Sequence, residues 1–237
     1  MHITTVLFDL DGTLLPMQQE VFVQGYFKLL AEKLATYGYD AENLISAIWN
    51  GIKAMVQNDG SKTNEDVFWT KFVEIFGEKV LSDKTLFQTF YETDFLKAKK
   101  FCGFNPKAAE TVKAIRNMGC RVVLATNPIF PAVATEARIR WAGLEPTDFD
   151  IYTTYENSSH CKPNTAYYEE ILKRLNVSAE KCLMVGNDVT EDMIAQKLGI
   201  RVFLLTDCLI NKGKADITQY PRGSFGELLE YINSLAD

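Results

Sequence analysis

Two aspartates one residue apart follow a short apolar segment near the start of this chain. Residues 6–15 read VLFDLDGTLL, and the branched apolar residues are typical of a buried parallel strand that ends at Asp9. In an extended chain Asp9 and Asp11 point to the same side, so two like charges would lie close together. A hard divalent cation, which prefers oxygen ligands, would relieve that repulsion. We therefore expect a metal site at the end of this strand.

The residues after the aspartates fit a site that also binds phosphate. Gly12 lets the chain turn sharply out of the strand, and the strand end supplies free backbone N–H groups for phosphate oxygens. The alternative is an acidic turn in which Asp9 or Asp11 only caps the chain. The string DLDGTLL, however, resembles the nucleophile motif of the haloacid dehalogenase-like (HAD) hydrolases.

Composition narrows the class of protein and its partners. The formal net charge of −6 argues against nonspecific binding to nucleic acid or to an anionic membrane. No stretch approaches the length of about 20 apolar residues that spans a bilayer. The first residues lack the basic region of a signal peptide. The five cysteines are scattered without a CxxC pair, which predicts a reducing cytoplasmic location.

Residues 15–103 have the pattern of a helical insert. Apolar residues at helical spacing predict helices over 22–34, 41–56, 67–76 and 86–95, between the first strand and the rest of the chain. A crossover of this length indicates a cap above the strand end. The insert carries an aromatic stripe that we expect to be core rather than ligand site: Phe22, Tyr26, Phe27, Trp49, Phe68, Trp69, Phe72 and Phe76.

From Pro106 onward helices and strands alternate, as in an α/β sheet covered on both faces. The predicted fold class is a doubly wound parallel α/β sheet with an inserted all-helical cap. Its core comprises residues 1–14 and 104–237, and its cap comprises residues 15–103. The predicted strands are 121–126, 149–153, 182–185 and 201–205, and the predicted helices are 106–118, 131–141, 165–175, 190–198 and 225–235.

Polar residues follow the later strands, where ligands collect in doubly wound sheets. Thr126 and Asn127 end the second strand, and the Thr126 hydroxyl either binds phosphate or caps the following turn. Lys162 precedes a proline after the third strand. An isolated lysine is usually solvated, but Lys162-Pro163 resembles the lysine step of the HAD family, where a cation neutralises the nucleophile and the phosphate.

The fourth strand ends in an acidic segment, Gly186-Asn187-Asp188 with Asp192 one helical turn later. This segment resembles the acidic metal motif of the HAD family, but asparagine stands where aspartate is usual. The metal is therefore expected on Asn187, on Asp188, or on both with water between. Asp192 is expected to act on the metal waters or on Lys162. The alternative is an acidic helix start stabilised by the helix dipole.

The resemblance covers the whole chain and implies a phosphatase of the phosphoglycolate phosphatase-like type, with Mg²⁺ as cofactor. It implies that Asp9 attacks phosphorus and forms an aspartyl-phosphate, and that Asp11 serves as general acid and then as base. The implied metal ligands are Asp9, Asp11 through its carbonyl, and the 187–192 segment. Thr126, Asn127 and Lys162 are expected to hold the phosphate, and Lys162 is also expected to assist catalysis.

Asp11 discriminates between reactions of the family. Dehalogenases attack carbon without a metal and lack an acid at this position, and phosphonate-cleaving members have a small residue there. A phosphosugar mutase keeps both aspartates and stays an alternative, as does a non-catalytic phosphate or metal binder. Between residues 16 and 97 there is no arginine, which disfavours multiply anionic substrates. The expected partner is a small phosphate ester, and the sequence does not reveal the oligomeric state.

Overall fold

A six-stranded parallel sheet forms the centre of the protein in a computed structural model that describes residues 3–235. The two outermost residues at each end of the predicted core lie outside this described range. The strand order is β3-β2-β1-β4-β5-β6. The strands are β1 (Thr5–Phe8), β2 (Arg121–Leu124), β3 (Ile151–Tyr152), β4 (Cys182–Gly186), β5 (Arg201–Leu205) and β6 (Arg222–Gly223).

The sheet is covered on both faces, because alternate side chains of each strand point to opposite sides. Val6 and Phe8 of β1 belong to one apolar cluster, whereas Leu7 belongs to the other, and all three are completely buried. The core helices are α5 (Pro106–Asn117), α6 (Ala132–Trp141), α7 (Thr165–Leu175) and α8 (Phe225–Ser234). The predicted doubly wound α/β fold class is confirmed.

The insert between β1 and α5 is helical, as its sequence predicts. It contains α1 (Gln19–Ala35), α2 (Ala41–Val56), α3 (Asn64–Phe76) and α4 (Lys84–Glu92), with 3₁₀ turns at Glu78–Asp83 and Asp94–Phe101. Capping side chains set two of the starts: Asp40 accepts a hydrogen bond from Asn43 N–H and Thr63 accepts one from Asp66 N–H. These two caps set the first residues of α2 and α3.

The insert leaves and rejoins the core through two neighbouring segments. Met17 pairs with Cys102 in an antiparallel bridge, and the Gly103 N–H donates to the Pro16 carbonyl at 2.7 Å. Apolar packing continues from the insert into the core, where the rings of Phe95 and Trp141 stack with centroids 5.3 Å apart. The insert is therefore packed onto the core and not held by its connections alone.

Two segments differ from the sequence prediction. The predicted helix over 190–198 is a 3₁₀ helix at Met193–Leu198, because the Asp188 carboxylate accepts the N–H groups of Thr190 and Glu191 and holds the preceding residues in a turn. The short edge strand β6 has no counterpart in the prediction, since two residues carry no alternating pattern. Within residues 3–235, no helix is both long and apolar enough to cross a membrane.

Candidate active site

The carboxylate of Asp9 lies at the carboxyl end of the central strand β1. The backbone N–H of Asp9 donates to the Val185 carbonyl at 2.9 Å. This bond continues the sheet by one residue and fixes the side chain at the sheet edge. The Asp9 side chain is 11% exposed. Its Oδ1 accepts a hydrogen bond from Lys162 Nζ at 2.9 Å, and its Oδ2 accepts one from the Thr13 hydroxyl at 3.1 Å. Asp9 is thus held on both oxygens and faces a cavity.

Lys162 reaches this carboxylate from the segment before α7. Its side chain is completely buried, and Nζ also donates to Asp192 Oδ1 at 2.6 Å. Burial alone would lower the pKa of Lys162, but the carboxylates of Asp192 and Asp9 raise it well above its ordinary value. The lysine therefore stays charged between two carboxylates.

Asp11 lies beside Asp9 and is bound by an arginine that the sequence analysis did not single out. Arg138 of α6 is completely buried and its Nη1 donates to Asp11 Oδ2. The other oxygen, Asp11 Oδ1, is buried without a hydrogen-bond partner. Burial raises the pKa of Asp11, and Arg138 opposes that shift. A carboxyl group with a raised pKa next to a second carboxylate is suited to proton transfer.

The position of Arg138 depends on its helix and on an aromatic ring. Ala134 and Trp141 lie four residues before and three residues after it, so all three occupy the buried face of α6. The guanidinium lies 4.3 Å from the centre of the Phe130 ring, and Nε donates to the Ala134 carbonyl at 3.3 Å. The α6 sequence, AVATEARIRW, shows no apolar face at helical spacing, so it held no signal that could single out this arginine.

Asn187 projects toward Asp9 from the end of β4. The Thr13 hydroxyl lies 2.9 Å from Asn187 Oδ1 and 3.1 Å from Asp9 Oδ2, so these two oxygens converge on one point. The amide orientation is fixed by Nδ2, which donates to the Cys208 carbonyl at 2.6 Å. Gly12 passes so close that a Cβ atom there would lie 2.3 Å from Nδ2, and its φ of +86° also requires glycine.

The two aspartates of the acidic segment are engaged with protein donors. Asp188 Oδ1 accepts the N–H groups of Thr190 and Glu191 at 2.7 and 3.0 Å. Asp192 is buried, and its Oδ1 binds Lys162 while its Oδ2 accepts the Asp188 N–H at 2.9 Å. Both oxygens of Asp192 are thus used in positioning Lys162 and the segment itself.

Thr126 and Asn127 lie on the other side of the site, after β2. Thr126 is buried, and its carbonyl accepts hydrogen bonds from the hydroxyls of Thr153 and Tyr167 at 2.7 and 2.8 Å. Asn127 Nδ2 donates to Glu191 Oε2 at 3.1 Å. Burial raises the pKa of Glu191 to about 7. The fold brings all eight residues that the sequence selected to one end of the sheet.

A cavity of about 230 Å³, here called the catalytic cavity, opens above these residues. Its floor includes Asp9, Asp11, Thr126 and Asn127, and none of the described residues that line it is lysine, arginine or histidine. The insert contributes an apolar wall composed of Phe22, Val23, Trp49, Ile52 and Val56. The cavity therefore combines an acidic polar floor with an apolar wall.

The donor set at the floor fits a magnesium ion. Within residues 3–235, no three His, Cys, Asp or Glu side chains form a metal site by themselves, so the ion would also need amide, backbone or water oxygens. Magnesium is commonly bound by one or two carboxylates with waters, and amide or backbone oxygens complete such sites. Asp9 Oδ2 and Asn187 Oδ1, one carboxylate and one amide oxygen, converge at the Thr13 hydroxyl. These oxygens match what the ion requires.

The chain matches one family model and several curated proteins. The model of the family described as haloacid dehalogenase-like hydrolase matches residues 3–206. Pyrophosphatase PpaX of Bacillus mycoides (strain KBAB4) is 24% identical over 222 residues, which cover 93% of this chain and 90% of the relative. PpaX of Bacillus cereus (strain Q1) is 25% identical over 225 residues, with the same coverage.

Solved structures share the fold. A 2-haloacid dehalogenase from Pseudomonas syringae pv. Tomato DC3000 aligns with a TM-score of 0.67 and 20% identity, over 99% of this chain and 100% of that one. CbbY from Rhodobacter sphaeroides in complex with phosphate aligns with a TM-score of 0.59 and 18% identity, over 95% and 96% of the two chains.

Proposed function

The chain belongs to the haloacid dehalogenase-like hydrolase family, and we propose that it is a magnesium-dependent phosphatase acting on a small phosphomonoester. The observation that carries the proposal is Asp11, a second carboxyl group beside Asp9 whose pKa is raised by burial. Cleavage of a phosphate ester needs a proton donor for the leaving oxygen, whereas attack on a carbon–halogen bond does not. The relatives named as pyrophosphatases also favour phosphoryl chemistry.

In this proposal Asp9 is the nucleophile. Its carboxylate oxygen forms a bond to phosphorus while the bond to the leaving oxygen breaks, which gives an aspartyl-phosphate. Lys162, held 2.9 Å from Asp9, lowers the repulsion between the carboxylate and the phosphate, and Thr126 and Asn127 bind the phosphate oxygens. Water then attacks phosphorus and releases Asp9 with inorganic phosphate.

Asp11 transfers the proton in both steps. Its Oδ2 is held by Arg138, so Oδ1, which has no partner, is the oxygen that carries the proton to the leaving group. The ionised group then accepts a proton from the attacking water. Asp9, the Asp11 carbonyl and Asn187 would hold magnesium, with Asp188 as a further candidate. When bound, the ion neutralises negative charge that builds up on the phosphate.

The proposal divides the chain into a catalytic core, residues 1–14 and 104–237, and a cap, residues 15–103. Every polar residue assigned a step lies in the core, and the cap supplies the apolar wall of the catalytic cavity. Binding a sugar bisphosphate, as a mutase must, needs a second anion site. The lack of cationic side chains among the described lining residues therefore favours hydrolysis over the mutase alternative.

The five free cysteines support a cytoplasmic location.

The test is phosphate release from a panel of aryl phosphates, sugar phosphates, nucleoside monophosphates and pyrophosphate, with magnesium and with excess EDTA. We expect release from at least one monoester that requires magnesium and is lost in the Asp9→Asn variant. Full activity in EDTA, or no release from any member with magnesium, would overturn the proposal.

A further inference from the structure

A second cavity of about 210 Å³ lies between the cap helices and the loop after β2. We call it the aromatic cavity, because seven of its lining residues are aromatic: Tyr26, Phe68, Trp69, Phe87, Tyr91, Phe130 and Tyr155. An apolar cavity of about 150 Å³ accommodates a benzene molecule. The aromatic cavity is therefore large enough for one substituted ring.

One polar atom in this wall lacks a partner. Trp69 is 6% exposed, and its indole Nε1 forms no hydrogen bond with any described residue. The Tyr155 hydroxyl, which also lines the cavity, lies near the indole N–H but forms no hydrogen bond of normal geometry with it. In contrast, the hydroxyls of Tyr26 and Tyr91 bind each other at 2.8 Å. Buried donors are nearly always satisfied, so the Trp69 N–H indicates a ligand with an acceptor atom.

The aromatic cavity offers no unbalanced charge. Glu65 and Lys84 are the charged side chains among the described residues that line it, and they pair with each other at 3.7 Å. The Lys84 ammonium also lies 4.9 Å from the centre of the Trp69 ring, which satisfies part of its charge. An anionic group would therefore find no free cation here, and an uncharged ring fits better.

The aromatic cavity adjoins the catalytic cavity on the side of Asp11. Ile52, Ile129 and Phe130 line both cavities. The Phe130 ring packs against the guanidinium of Arg138, whose Nη1 binds Asp11. The leaving oxygen must lie next to Asp11, which protonates it. A group attached to that oxygen is therefore directed past Phe130.

We propose that the aromatic cavity receives the leaving group of the substrate, which is an uncharged aromatic ring with an acceptor atom that binds the Trp69 N–H. This rests on the proposed phosphatase function and names its substrate class as aryl or arylalkyl phosphates. Pyrophosphate, whose leaving group is a second phosphate, finds neither an apolar ring to bury nor a cation to meet. The chain is thus separated in specificity from the pyrophosphatases it resembles.

The first test is binding of 4-hydroxyacetophenone, the phenol released from 4-acetylphenyl phosphate, to the full chain. The three tryptophans give three indole N–H resonances, and Trp69→Phe identifies one of them. We expect the Trp69 resonance to shift on titration while that of Trp141, equally buried at 6% but away from the cavity, does not. A Trp69 resonance that stays in place at millimolar ligand would overturn the proposal.

The second test is the ratio of kcat/KM for 4-acetylphenyl phosphate to that for phenyl phosphate, which lacks the acceptor. Loss of one hydrogen bond of ordinary strength predicts a fall of about five- to tenfold in this ratio for Trp69→Phe. Trp141→Phe is the matched control and should keep the wild-type ratio. An unchanged ratio in Trp69→Phe would refute the role of its N–H.

The tests separate this inference from the phosphatase proposal. If no monoester is cleaved but the Trp69 resonance still shifts, the phosphatase proposal fails and the ring site stands. If 4-hydroxyacetophenone shifts the resonance but does not compete with the phosphate ester, the leaving-group assignment is wrong.

Discussion

Replacing Asp11 by asparagine should destabilise the fold through Arg138. The arginine side chain is completely buried, whereas the Asp11 side chain is 25% exposed. Removing one partner of a fully buried ion pair costs about 3–5 kcal/mol, because the other charge is left uncompensated. Water reaches the Asp11 end of this pair, and Arg138 keeps its contact with the Phe130 ring. We therefore expect a loss of about 2–3 kcal/mol in the free energy of unfolding for Asp11→Asn.

The measurement is urea unfolding of the metal-free protein for Asp11→Asn, Arg138→Met and the double variant. Removing both charges eliminates the unpaired group, so the double variant should lose less than the sum of the single losses, by at least about 1.5 kcal/mol. The control is Arg140→Met, two residues along the same helix. Arg140 is half exposed and pairs with Glu136 and Glu145 at 3.4 and 3.2 Å, so its loss should cost less than about 1 kcal/mol.

Two outcomes would refute this reasoning. If Asp11→Asn costs no more than Arg140→Met, Asp11 does not balance the buried guanidinium. If the losses of the single variants simply add in the double variant, the two side chains act independently despite their contact.

Three further predictions concern the floor of the site. Asp9→Asn should lower phosphate release more than a hundredfold with the fold intact by circular dichroism, since the amide is a poor nucleophile of the same shape; higher residual turnover would exclude Asp9 as nucleophile. Asn187→Ala should raise the Kd for Mg²⁺ in calorimetry more than Asp188→Ala does, because Asn187 Oδ1 converges with Asp9 while Asp188 Oδ1 holds a turn; the opposite order would assign the ligand to Asp188. The pKa of Glu191 is raised from 4.5 to about 7, so its carboxyl group favours the folded state at low pH and loses that advantage as pH rises through 7. The Tm of the metal-free protein should therefore fall between pH 5 and 8 by a few degrees more than that of Glu191→Gln, and parallel curves would contradict the shift.

The sequence was sufficient for the elements that carry strong local patterns. The apolar run before Asp9 predicted a buried strand, and the carboxyl ends of parallel strands meet at one edge, so Asp9, Thr126, Lys162 and Asn187 were expected together. The structure places them there. Their order along the chain and the alternation of helices and strands are enough to predict that these residues share one edge of the sheet.

The parts that escaped prediction depend on tertiary contacts. In the sequence, Arg138 looks like a surface arginine, as its neighbour Arg140 of α6 is, until the packing of Phe130 and Asp11 around it is known. Periodicity over 190–198 predicted an α-helix, but the Asp188 side chain captured the first N–H groups and changed the geometry. The aromatic stripe was expected to be core. Phe72 is completely buried in it, yet Trp69 also borders a cavity that no spacing in the sequence could indicate.

The two segments that join the cap to the core run side by side, with Met17 paired to Cys102. Paired strands lie about 5 Å apart, a gap that a hairpin turn of two to five residues closes. The 84 residues between them therefore return the chain to within about 5 Å of the point where it left the core. The insert therefore occupies the position of a loop between β1 and α5. Inserts of very different length would be compatible with the same sheet, provided that they cover the apolar face around Trp141. Grafting a foreign cap at this junction is thus a route to new specificity that leaves Asp9 and Asp11 in place.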